Sequence, residues 1–388
     1  MRPKILCISF SDINADSRVL RQLRVLAETG DVTTVSYGER PLASADHMQI
    51  DSSLPSLPQT MSGVAALLLR RFHAVRLKAP AMRKAIDLVA DREFDLIVAN
   101  EARSLPLAHF LADRMSVKPP VWGDMHEWAP EERAHVLSWR LLVKPFMSYV
   151  CREYLPRTEA VSAVNGSIAA LYDGRFGTQA AVVRNAGTFR DLQPTPMVPG
   201  RIRLAHSGAA VPGRNLEGMI QAVLQLDERY TLDLYLVKAR DGGKYWRQLR
   251  QLSEGSPRIV FHDAVAPDEL AQTLNVYDLG IFSLPPRTTN HALMLPNKFF
   301  DFVQARLGIV FSPSPETSAL IEQYGLGAIT NDHSPESLAE TIRSLTEDDI
   351  RGFKDNAHRA ARELSSERDE EAERDILRRL LPTFMLRG

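Results

Sequence analysis

Short apolar runs alternate with amphipathic segments of helical period along most of the chain. The first apolar run, Lys4–Phe10, is followed by a helical pattern that Asp16 or Ser17 would cap and Gly30 would end, and then by a second run at Val32–Tyr37. A strand, a helix and a strand in this order form a βαβ unit, which requires a parallel sheet. The opening of the chain therefore predicts a Rossmann-like α/β domain.

The same alternation resumes after a proline-rich stretch without periodicity, residues 191–200. We predict further strands at Ile202–His206, Leu232–Val237, Ile259–Phe261 and Leu279–Phe282. The chain has 388 residues, and single hydrophobic cores usually stop growing at about 250–300 residues. We therefore expect two α/β domains with the boundary in this stretch.

A predicted helix in the second half carries the first candidate chemistry. Pro296 is expected in its first turn, and the helical pattern continues to Arg306 before Gly308 stops it. Lys298 and Asp301 are three residues apart and share one face. The free N–H groups of the helix start and Lys298 suit a diphosphate, and Asp301 would accept hydrogen bonds from ribose hydroxyls. The alternative is an ordinary amphipathic helix with a solvated lysine and aspartate.

Small and basic residues that follow the strand at Ile202–His206 favour the same ligand. Ser207 and Gly208 begin a predicted tight turn, where small side chains would let the backbone approach a ligand. Arg214 comes just before the next predicted helix, and a guanidinium there suits phosphate. The second domain is therefore the one expected to bind phosphate.

Polar residues also follow two predicted strands of the first domain. Glu101 comes directly after the strand Asp95–Asn100, and Asp124–Glu127 follows the apolar residues Pro119–Gly123. Ligands bind beyond the carboxyl ends of parallel strands, and ionisable residues crowded there often have functional roles. His126 is therefore the histidine that we favour for function. The alternative is a structural histidine.

Composition and charge exclude several classes of protein. The chain has 47 Lys and Arg against 48 Asp and Glu, a net charge of −1, which gives no indication of nucleic-acid binding. Its two cysteines, Cys7 and Cys151, form neither a disulfide framework nor a metal-binding spacing, and a reducing cytoplasm is the expected compartment. No GxGxxG follows the first strand, which argues against a dinucleotide dehydrogenase. No apolar run is long enough for a membrane span or a secretory signal.

One stretch is locally basic. Residues 64–90 run at helical period, with a break or kink predicted at Pro80. The basic residues in it are Arg70, Arg71, His73, Arg76, Lys78, Arg83 and Lys84. A basic amphipathic helix can lie on an anionic membrane or hold an acidic substrate. The alternative is a solvated face over a stripe of core residues.

Together these segments resemble the GT-B glycosyltransferases, in particular the retaining, nucleotide-sugar-dependent family of bacterial mannosyl- and glucosyltransferases. The resemblance covers nearly the whole chain. Its motifs are Asp16-Ser17-Arg18-Val19, Asp124-Met125-His126-Glu127, Arg184-Asn185-Ala186-Gly187, Ser207-Gly208 through Arg214-Asn215-Leu216-Glu217, and Leu295–Val310. It implies two facing Rossmann-like domains with the active site in the cleft between them. Residues 1–190 would bind the acceptor, residues 200–365 would bind the donor, and a helix in 366–388 would pack back on the first domain.

The resemblance also implies roles for individual residues. His126 would be the catalytic residue that contacts the donor sugar. The donor would be bound by Ser207, Gly208, Arg214, Asn290, His291, Leu295, Lys298 and Asp301, and the acceptor by Asn14, Arg18 and Glu101. Arg214 and Lys298 would neutralise the diphosphate, so no metal is expected. A UDP- or GDP-linked nucleotide sugar would be the co-substrate, and no separate cofactor is expected.

One position departs from the family pattern. The family has a pair of glutamates in the donor-binding segment, and here Asp301 stands at the second position but Leu293 at the first. Asn290 or His291 would then contact the donor sugar instead. The nucleotide base, the sugar and the acceptor remain open.

The resemblance sets the expected biology and its alternatives. We expect transfer to a glycan or lipid-linked acceptor during assembly of a bacterial surface polysaccharide, in the cytoplasm and at the inner face of the cell membrane. The alternatives are a nucleotide-sugar epimerase of the same architecture and a non-catalytic scaffold that binds nucleotide.

Overall fold

The computed structural model describes residues 2–239 and 241–382, which form two compact units. The N-terminal unit contains the described residues up to Arg184, Thr288–Asn290 and those from Asp369 onward. The C-terminal unit contains Asn185–Arg287 and His291–Arg368. Residues 383–388 of the predicted closing segment lie outside the described residues.

The N-terminal unit is built on a seven-stranded sheet in the order β3-β2-β1-β4-β5-β6-β7, and its described pairings are all parallel. The strands are β1 Lys4–Asp12, β2 Asp31–Tyr37, β3 Asp46–Gln49, β4 Leu96–Asn100, β5 Val121–Met125, β6 Ala160–Ala163 and β7 Ala181–Val182. Its helices are α1 Ser17–Thr29, α2 Met61–Leu68, α3 Phe72–Val75, α4 Pro80–Val89, α5 Leu105–Ala112, α6 Lys144–Tyr154 and α7 Gly166–Phe176. A π-helical turn, Trp139–Val143, leads into α6. The predicted opening βαβ unit is confirmed, and Asp16 caps α1 by accepting a hydrogen bond from the Val19 amide.

The C-terminal unit is built on a six-stranded parallel sheet in the order β10-β9-β8-β11-β12-β13. The strands are β8 Ile202–Ala210, β9 Tyr230–Lys238, β10 Ile259–Asp263, β11 Leu279–Phe282, β12 Gly308–Phe311 and β13 Gly327–Ile329. The helices that follow α7 in the chain are α8 Leu216–Leu224, α9 Lys244–Leu252, α10 Leu270–Leu274, α11 Thr289–Ala292, α12 Asn297–Gln304, α13 Pro315–Tyr324, α14 Pro335–Ser344, α15 Glu347–Ala360 and α16 Ser366–Leu380.

Each unit has its own hydrophobic core. In the N-terminal unit, α16 packs Ile376 and Leu377 into the core that also holds Leu23 of α1 and Trp122 of β5. Fully burying one such aliphatic side chain stabilises the fold by about 1.5–3 kcal/mol. The end of the described chain is therefore an integral part of the N-terminal unit.

Aromatic side chains of α12 fill the core of the C-terminal unit. Phe299, Phe300 and Phe302 are fully buried, and the rings of Phe299 and Phe302 meet Phe311 of β12 at 6.2 and 6.1 Å between centroids. This packing holds α12 against the sheet. Its other face carries Lys298 and Asp301, as its helical period predicted.

One predicted proline position is confirmed and one is wrong. The helical pattern is broken at Pro80, because α3 ends at Val75 and Pro80 begins α4, where its missing N–H costs nothing. Pro296 has extended backbone and precedes α12 rather than lying in its first turn.

Two predicted strand ends are also wrong, because the strands continue further. Asp124 pairs with Ser162 inside β5, so only His126 and Glu127 of the motif lie beyond the strand. The expected tight turn at Ser207-Gly208 is part of β8, which stays paired with β9 as far as Ala210. In both cases, pairing with the neighbouring strand keeps these residues extended, although their small or polar side chains are typical of loops.

Candidate functional site

Polar residues of the N-terminal unit meet at the carboxyl edge of its sheet, where the strand order reverses between β1 and β4. They are Arg18, Asn100, Glu101, Asp124 and His126, and we call them the N-terminal cluster. Open parallel sheets bind ligands at such a reversal. The position therefore favours a functional role for the cluster.

An ion pair between Arg18 and Asp124 anchors the N-terminal cluster. Arg18 Nε donates to Asp124 Oδ2 at 2.8 Å and Nη2 donates to Oδ1 at 2.6 Å, while the side chains are 5% and 0% exposed. Arg18 Nη1 donates to the Val183 carbonyl at 2.6 Å, and the Ser162 hydroxyl donates to Asp124 Oδ1 at 2.5 Å. Burial alone would raise the pKa of Asp124, but Arg18 and His126 hold it well below its usual range. Asp124 is therefore a fixed negative charge.

His126 is held by this charge. Its Nε2 lies 3.2 Å from Asn100 Oδ1 and 3.3 Å from Asp124 Oδ2, and because both neighbours accept, Nε2 carries a proton. Its Nδ1 lies 4.0 Å from Glu101 Oε1. Burial alone would lower the pKa of His126, but the hydrogen bond and the charge of Asp124 outweigh burial and raise it. The contacts of Nε2 therefore orient the imidazole, and the charge of Asp124 favours its cationic form.

Glu101 stands next to His126 in an unusual backbone conformation. Its φ is 64° and its ψ 153°, a region that non-glycine residues rarely occupy and that costs about 1–3 kcal/mol. Its amide donates to the Asp124 carbonyl at 2.8 Å, and its Oε2 pairs with Arg103 Nε at 2.6 Å. Arg103 also pairs with Glu132 at 3.2 Å. Strain of this kind concentrates at functional sites, so it adds to the case for Glu101.

The residues proposed for the acceptor have different surroundings. Arg18 is buried and its guanidinium is bound to Asp124 and Val183, so its geometry favours holding Asp124 over contacting an acceptor. Asn14 lies in the turn after β1, where its side chain donates to the Glu39 carbonyl at 2.9 Å. Glu101 is the one of the three whose carboxylate faces His126.

A second cluster lies at the matching place in the C-terminal unit. The strand order reverses between β8 and β11, which pair only at Leu204 and Ala205, so β8 runs on without β11 beside it. His206, Gly208, Phe282 and Lys298 meet there, and we call them the C-terminal cluster.

The ammonium group of Lys298 is fixed over an aromatic ring. Its Nζ lies 4.5 Å from the centroid of Phe282, and the His206 ring is stacked against the same phenyl ring at 6.1 Å and 11°. The His206 Nδ1 bonds the Ile281 carbonyl at 2.9 Å, which leaves Nε2 as the acceptor of a neutral ring. The C-terminal cluster therefore presents one cation on a rigid aromatic support.

Gly208 keeps the space beside this cation open. A Cβ at Gly208 would lie 3.7 Å from Lys298 Nζ and 3.6 Å from His206 Nε2. Its φ of +152° is one that residues with side chains rarely adopt. The absence of a side chain thus lets a ligand approach the backbone and the ammonium together.

Burial and two neighbouring charges determine the pKa of Lys298. Burial and the neighbouring charge of Arg214 lower the pKa of Lys298 to about 8, while Asp301 opposes them. Burial and Lys298 lower the pKa of His206 to about 3, so this histidine is neutral at physiological pH. Since the charge of Asp301 does not offset burial and Arg214, an anionic ligand would stabilise the charged form of Lys298 further.

Basic side chains flank the C-terminal cluster. Arg214 is exposed just before α8, after Gly213, whose φ is +89°. A Cβ at Gly213 would lie 3.7 Å from Arg287 Nη1. Asn215 Nδ2 lies 3.3 Å from both the carbonyl and the hydroxyl oxygen of Ser283, and it joins this loop to the end of β11.

The other residues proposed for the donor are placed less directly. Ser207 is buried within β8, and Leu295 is 6% exposed and packs in the core of the C-terminal unit. His291 lies half-buried in α11. Asn290 belongs to the N-terminal unit, where its Oδ1 accepts from the Trp128 amide at 2.8 Å and its Nδ2 lies 3.2 Å from Glu127. The geometry of Asn290 favours a structural role.

Three residues of this site were not anticipated. His206 directly precedes the Ser207-Gly208 pair, and its place at the end of an apolar run was a usable signal. The apolar pattern predicts only a buried strand at Phe282, because stacking under a lysine depends on tertiary packing. Arg287 lies in a loop whose path the sequence pattern does not define.

Two searches of the described residues are negative. Within residues 2–239 and 241–382, no group of three or more His, Cys, Asp or Glu side chains could hold a metal ion. No helix in the same residues has the length and apolar character needed to cross a membrane.

Two Rossmann-like units, each with a parallel sheet and helices, define the GT-B fold. Solved structures that share it with this chain include HepE of Anabaena in complex with UDP (14% identity, TM-score 0.71, covering 96% of this chain and 99% of that one). Sucrose-phosphate synthase from Thermosynechococcus elongatus is similar at 14% identity and a TM-score of 0.72, covering 98% and 100%. A glycosyltransferase from Rickettsia africae is similar at 10% identity and a TM-score of 0.69, covering 98% and 99%. No family model matches the sequence, and no curated protein matches it.

We predict that Asp124→Asn lowers the pKa of His126, because it removes the charge that raises it. NMR titration of the His126 ring should give a value above the ordinary 6.5 or so in the parent and a lower one in the variant. The raised pKa contributes stability that is complete below the unfolded pKa and is lost as pH rises through the folded one, so the variant should also lose this pH dependence. Removing one partner of a buried ion pair costs about 3–5 kcal/mol of unfolding free energy.

Asp113→Asn is the matched control, because Asp113 is 45% exposed and pairs with Lys118 and Arg157 at the surface. Such exposed pairs contribute about 0–1 kcal/mol. An unchanged His126 pKa in Asp124→Asn would show that Asp124 does not hold the imidazole. If this variant does not fold, the elevated pKa in the parent still tests the geometry.

Proposed function

We propose that this protein is a glycosyltransferase that moves a sugar from a nucleotide-sugar donor to a glycan or lipid-linked acceptor. The observation that carries the proposal is the C-terminal cluster, in which a cation and an open glycine backbone meet at the sheet reversal of a GT-B fold. It is supported by HepE, which has been solved with UDP and with UDP-glucose.

The diphosphate of the donor lies beside Gly208 in this proposal. Lys298 supplies a charge-assisted contact to it, and Arg214 and Arg287 add positive charge at the flank. Stabilising the leaving diphosphate in this way lowers the barrier to breaking the sugar–phosphate bond. Lys298 and Arg214 do the electrostatic work of a metal, so the proposed transfer is independent of metal ions.

Asp301 is proposed to hold the ribose. It lies on the same face of α12 as Lys298, one turn further along, and its charge is close enough to Lys298 to oppose the lowering of that lysine's pKa. A carboxylate accepts hydrogen bonds from two neighbouring hydroxyls, which matches a ribose.

His126 is proposed to contact the donor sugar through its main-chain carbonyl. Its Nε2 is already bound to Asn100 and Asp124, and a cationic imidazole does not stabilise the positive charge that develops on the sugar ring. Glu101 is the proposed acceptor-binding residue, because its carboxylate stands beside His126. Arg18 and Asp124 then position His126.

The finer features of the proposal come from the sequence resemblance. We propose hexosyl transfer with retention of the anomeric configuration, in the assembly of a bacterial surface polysaccharide at the cytoplasmic face of the membrane. The two carboxylates of the N-terminal cluster do not form an accessible glycosidase dyad, because Asp124 is buried in its ion pair with Arg18, and this speaks against hydrolysis as the main reaction.

A nucleotide panel tests the donor site. We expect one of UDP, GDP, ADP, CMP and dTDP to raise the melting temperature of the parent more than the others, because a ligand of the native state stabilises it by mass action. In Lys298→Ala the affinity for that nucleotide should fall by about 10- to 100-fold, the value of one charge-assisted contact. The readout is the concentration dependence of the thermal shift.

Lys118→Ala is the control, since it removes an exposed lysine that precedes the amino end of β5. It should leave the nucleotide affinity unchanged. The matching nucleotide sugar is then supplied with and without acceptors. Conversion without any acceptor would identify an epimerase, and the absence of conversion with every acceptor would identify a scaffold.

The affinity for the nucleoside diphosphate should depend on pH. Lys298 binds the diphosphate in its charged form, and its pKa is lowered to about 8. The affinity should therefore fall by up to about tenfold per unit as the pH rises above 8. Lys298→Arg keeps its charge at all these pH values and should flatten the profile. A parent profile that is flat through pH 9 would contradict the role given to Lys298.

A further inference from the structure

Basic and apolar residues are segregated into two stretches of the N-terminal unit. Residues 52–86 contain six Lys and Arg and no Asp or Glu, and residues 134–152 contain three Lys and Arg and no Asp or Glu. The whole chain has almost equal numbers of the two signs. The first of the two is the longest stretch of the chain without an acidic residue.

The fold brings the two stretches together. Arg70 Nη1 donates to the Leu141 carbonyl at 3.0 Å, and the Phe72 ring packs on Phe146 at 5.9 Å and on Tyr149 at 5.6 Å. Arg70 has a left-handed backbone, with a φ of 55°, at the turn between α2 and α3. The joint surface of α2, α3 and residues 136–143 is here called the α2–α3 surface.

Large apolar side chains stand out from this surface. Met61, Leu68, Leu69, Leu137 and Leu141 are 93%, 63%, 66%, 65% and 55% exposed. Exposed apolar patches rimmed by polar residues mark sites of protein or membrane contact. Leu141 and the leucines of α2 come from different stretches, so the patch is a product of the fold.

Cationic groups surround a groove on the same surface. The groove holds about 370 Å³ and is lined by Arg70, Arg71, Phe72, His73, Ala74 and Tyr149. The guanidinium groups of Arg70, which lies 5.9 Å from the centroid of the Phe72 ring, and of Arg71 are suited to a phosphate group. A phosphate site beside several exposed leucines matches a phospholipid, whose phosphate would lie in the groove and whose acyl chains would contact the leucines.

We propose that the α2–α3 surface docks on an anionic phospholipid bilayer, with the leucines in the acyl boundary and the groove on a lipid phosphate. Charge complementarity favours this occupant, because the cytoplasmic leaflet is negatively charged and attracts basic segments. The proposal gives the glycosyltransferase proposed above a site of contact with the membrane, and the purpose of this contact rests on that proposed function. The basic cluster that the sequence suggested is divided by the fold, since Arg83 and Lys84 lie on α4 and line no part of the groove.

Vesicle flotation tests the proposal. The parent should float with vesicles of phosphatidylcholine and phosphatidylglycerol, should stay behind with phosphatidylcholine alone, and should be released by salt. Arg71→Gln combined with Arg140→Gln should lower the partition coefficient roughly 30-fold, since each basic residue near an anionic surface contributes about a factor of five. Leu68→Ser combined with Leu69→Ser should lower it at least about tenfold.

Arg83→Gln combined with Lys84→Gln is the matched control, because it removes the same charge from exposed positions of α4. It should keep most of the binding. An equal loss in this control would overturn the proposal in favour of diffuse charge attraction. Absence of flotation by the parent, or a dimer in solution that Leu68→Ser with Leu69→Ser abolishes, would overturn it as well.

All of these substitutions are at exposed positions, and circular dichroism melts should confirm that the variants are folded. The experiment contains neither donor nor acceptor. A failure of docking therefore leaves the nucleotide panel unaffected, and a failure of the panel leaves docking unaffected.

Discussion

A parallel sheet sends the carboxyl ends of its strands to one edge, and the rest of this protein depends on that constraint. Where the strand order reverses, neighbouring connections leave in opposite directions and the edge is left open. Both units have such a reversal, between β1 and β4 and between β8 and β11. The N-terminal and C-terminal clusters lie at these two places, although their residues come from distant parts of the chain.

The charged side chains of the two clusters have different surroundings. In the N-terminal cluster the Arg18 guanidinium binds Asp124 through two hydrogen bonds, and the pair fixes His126. In the C-terminal cluster Lys298 has an aromatic ring below it and a second cation near it, and its pKa is lowered to about 8. A buried pair that satisfies itself is suited to positioning a neighbour. A half-buried cation beside an open glycine backbone is suited to binding an anion.

The sequence patterns predicted those features of the fold that interactions between residues near in sequence determine. The apolar runs and the capping aspartate gave the correct βαβ opening, and helical period placed Lys298 and Asp301 on one face of α12. The errors lie where tertiary contacts decide. Pairing with β9 extends β8 through Gly208. The stack of His206 and Phe282 under Lys298 joins three separate segments, and no local pattern contains it. The contact between residues 136–143 and the residues that follow α2 also joins separate segments, and no local pattern contains it.

The central claim is that the C-terminal cluster binds the diphosphate of a nucleotide, and calorimetric titration of the parent with a nucleoside diphosphate and with the matching nucleoside tests it most directly. If Lys298 and the flanking arginines hold the diphosphate, even two of these charge-assisted contacts make the nucleoside diphosphate bind at least about 100-fold more tightly than the nucleoside. Equal affinity for both would place the binding energy on the base and contradict the account. Absence of binding by either would contradict it as well.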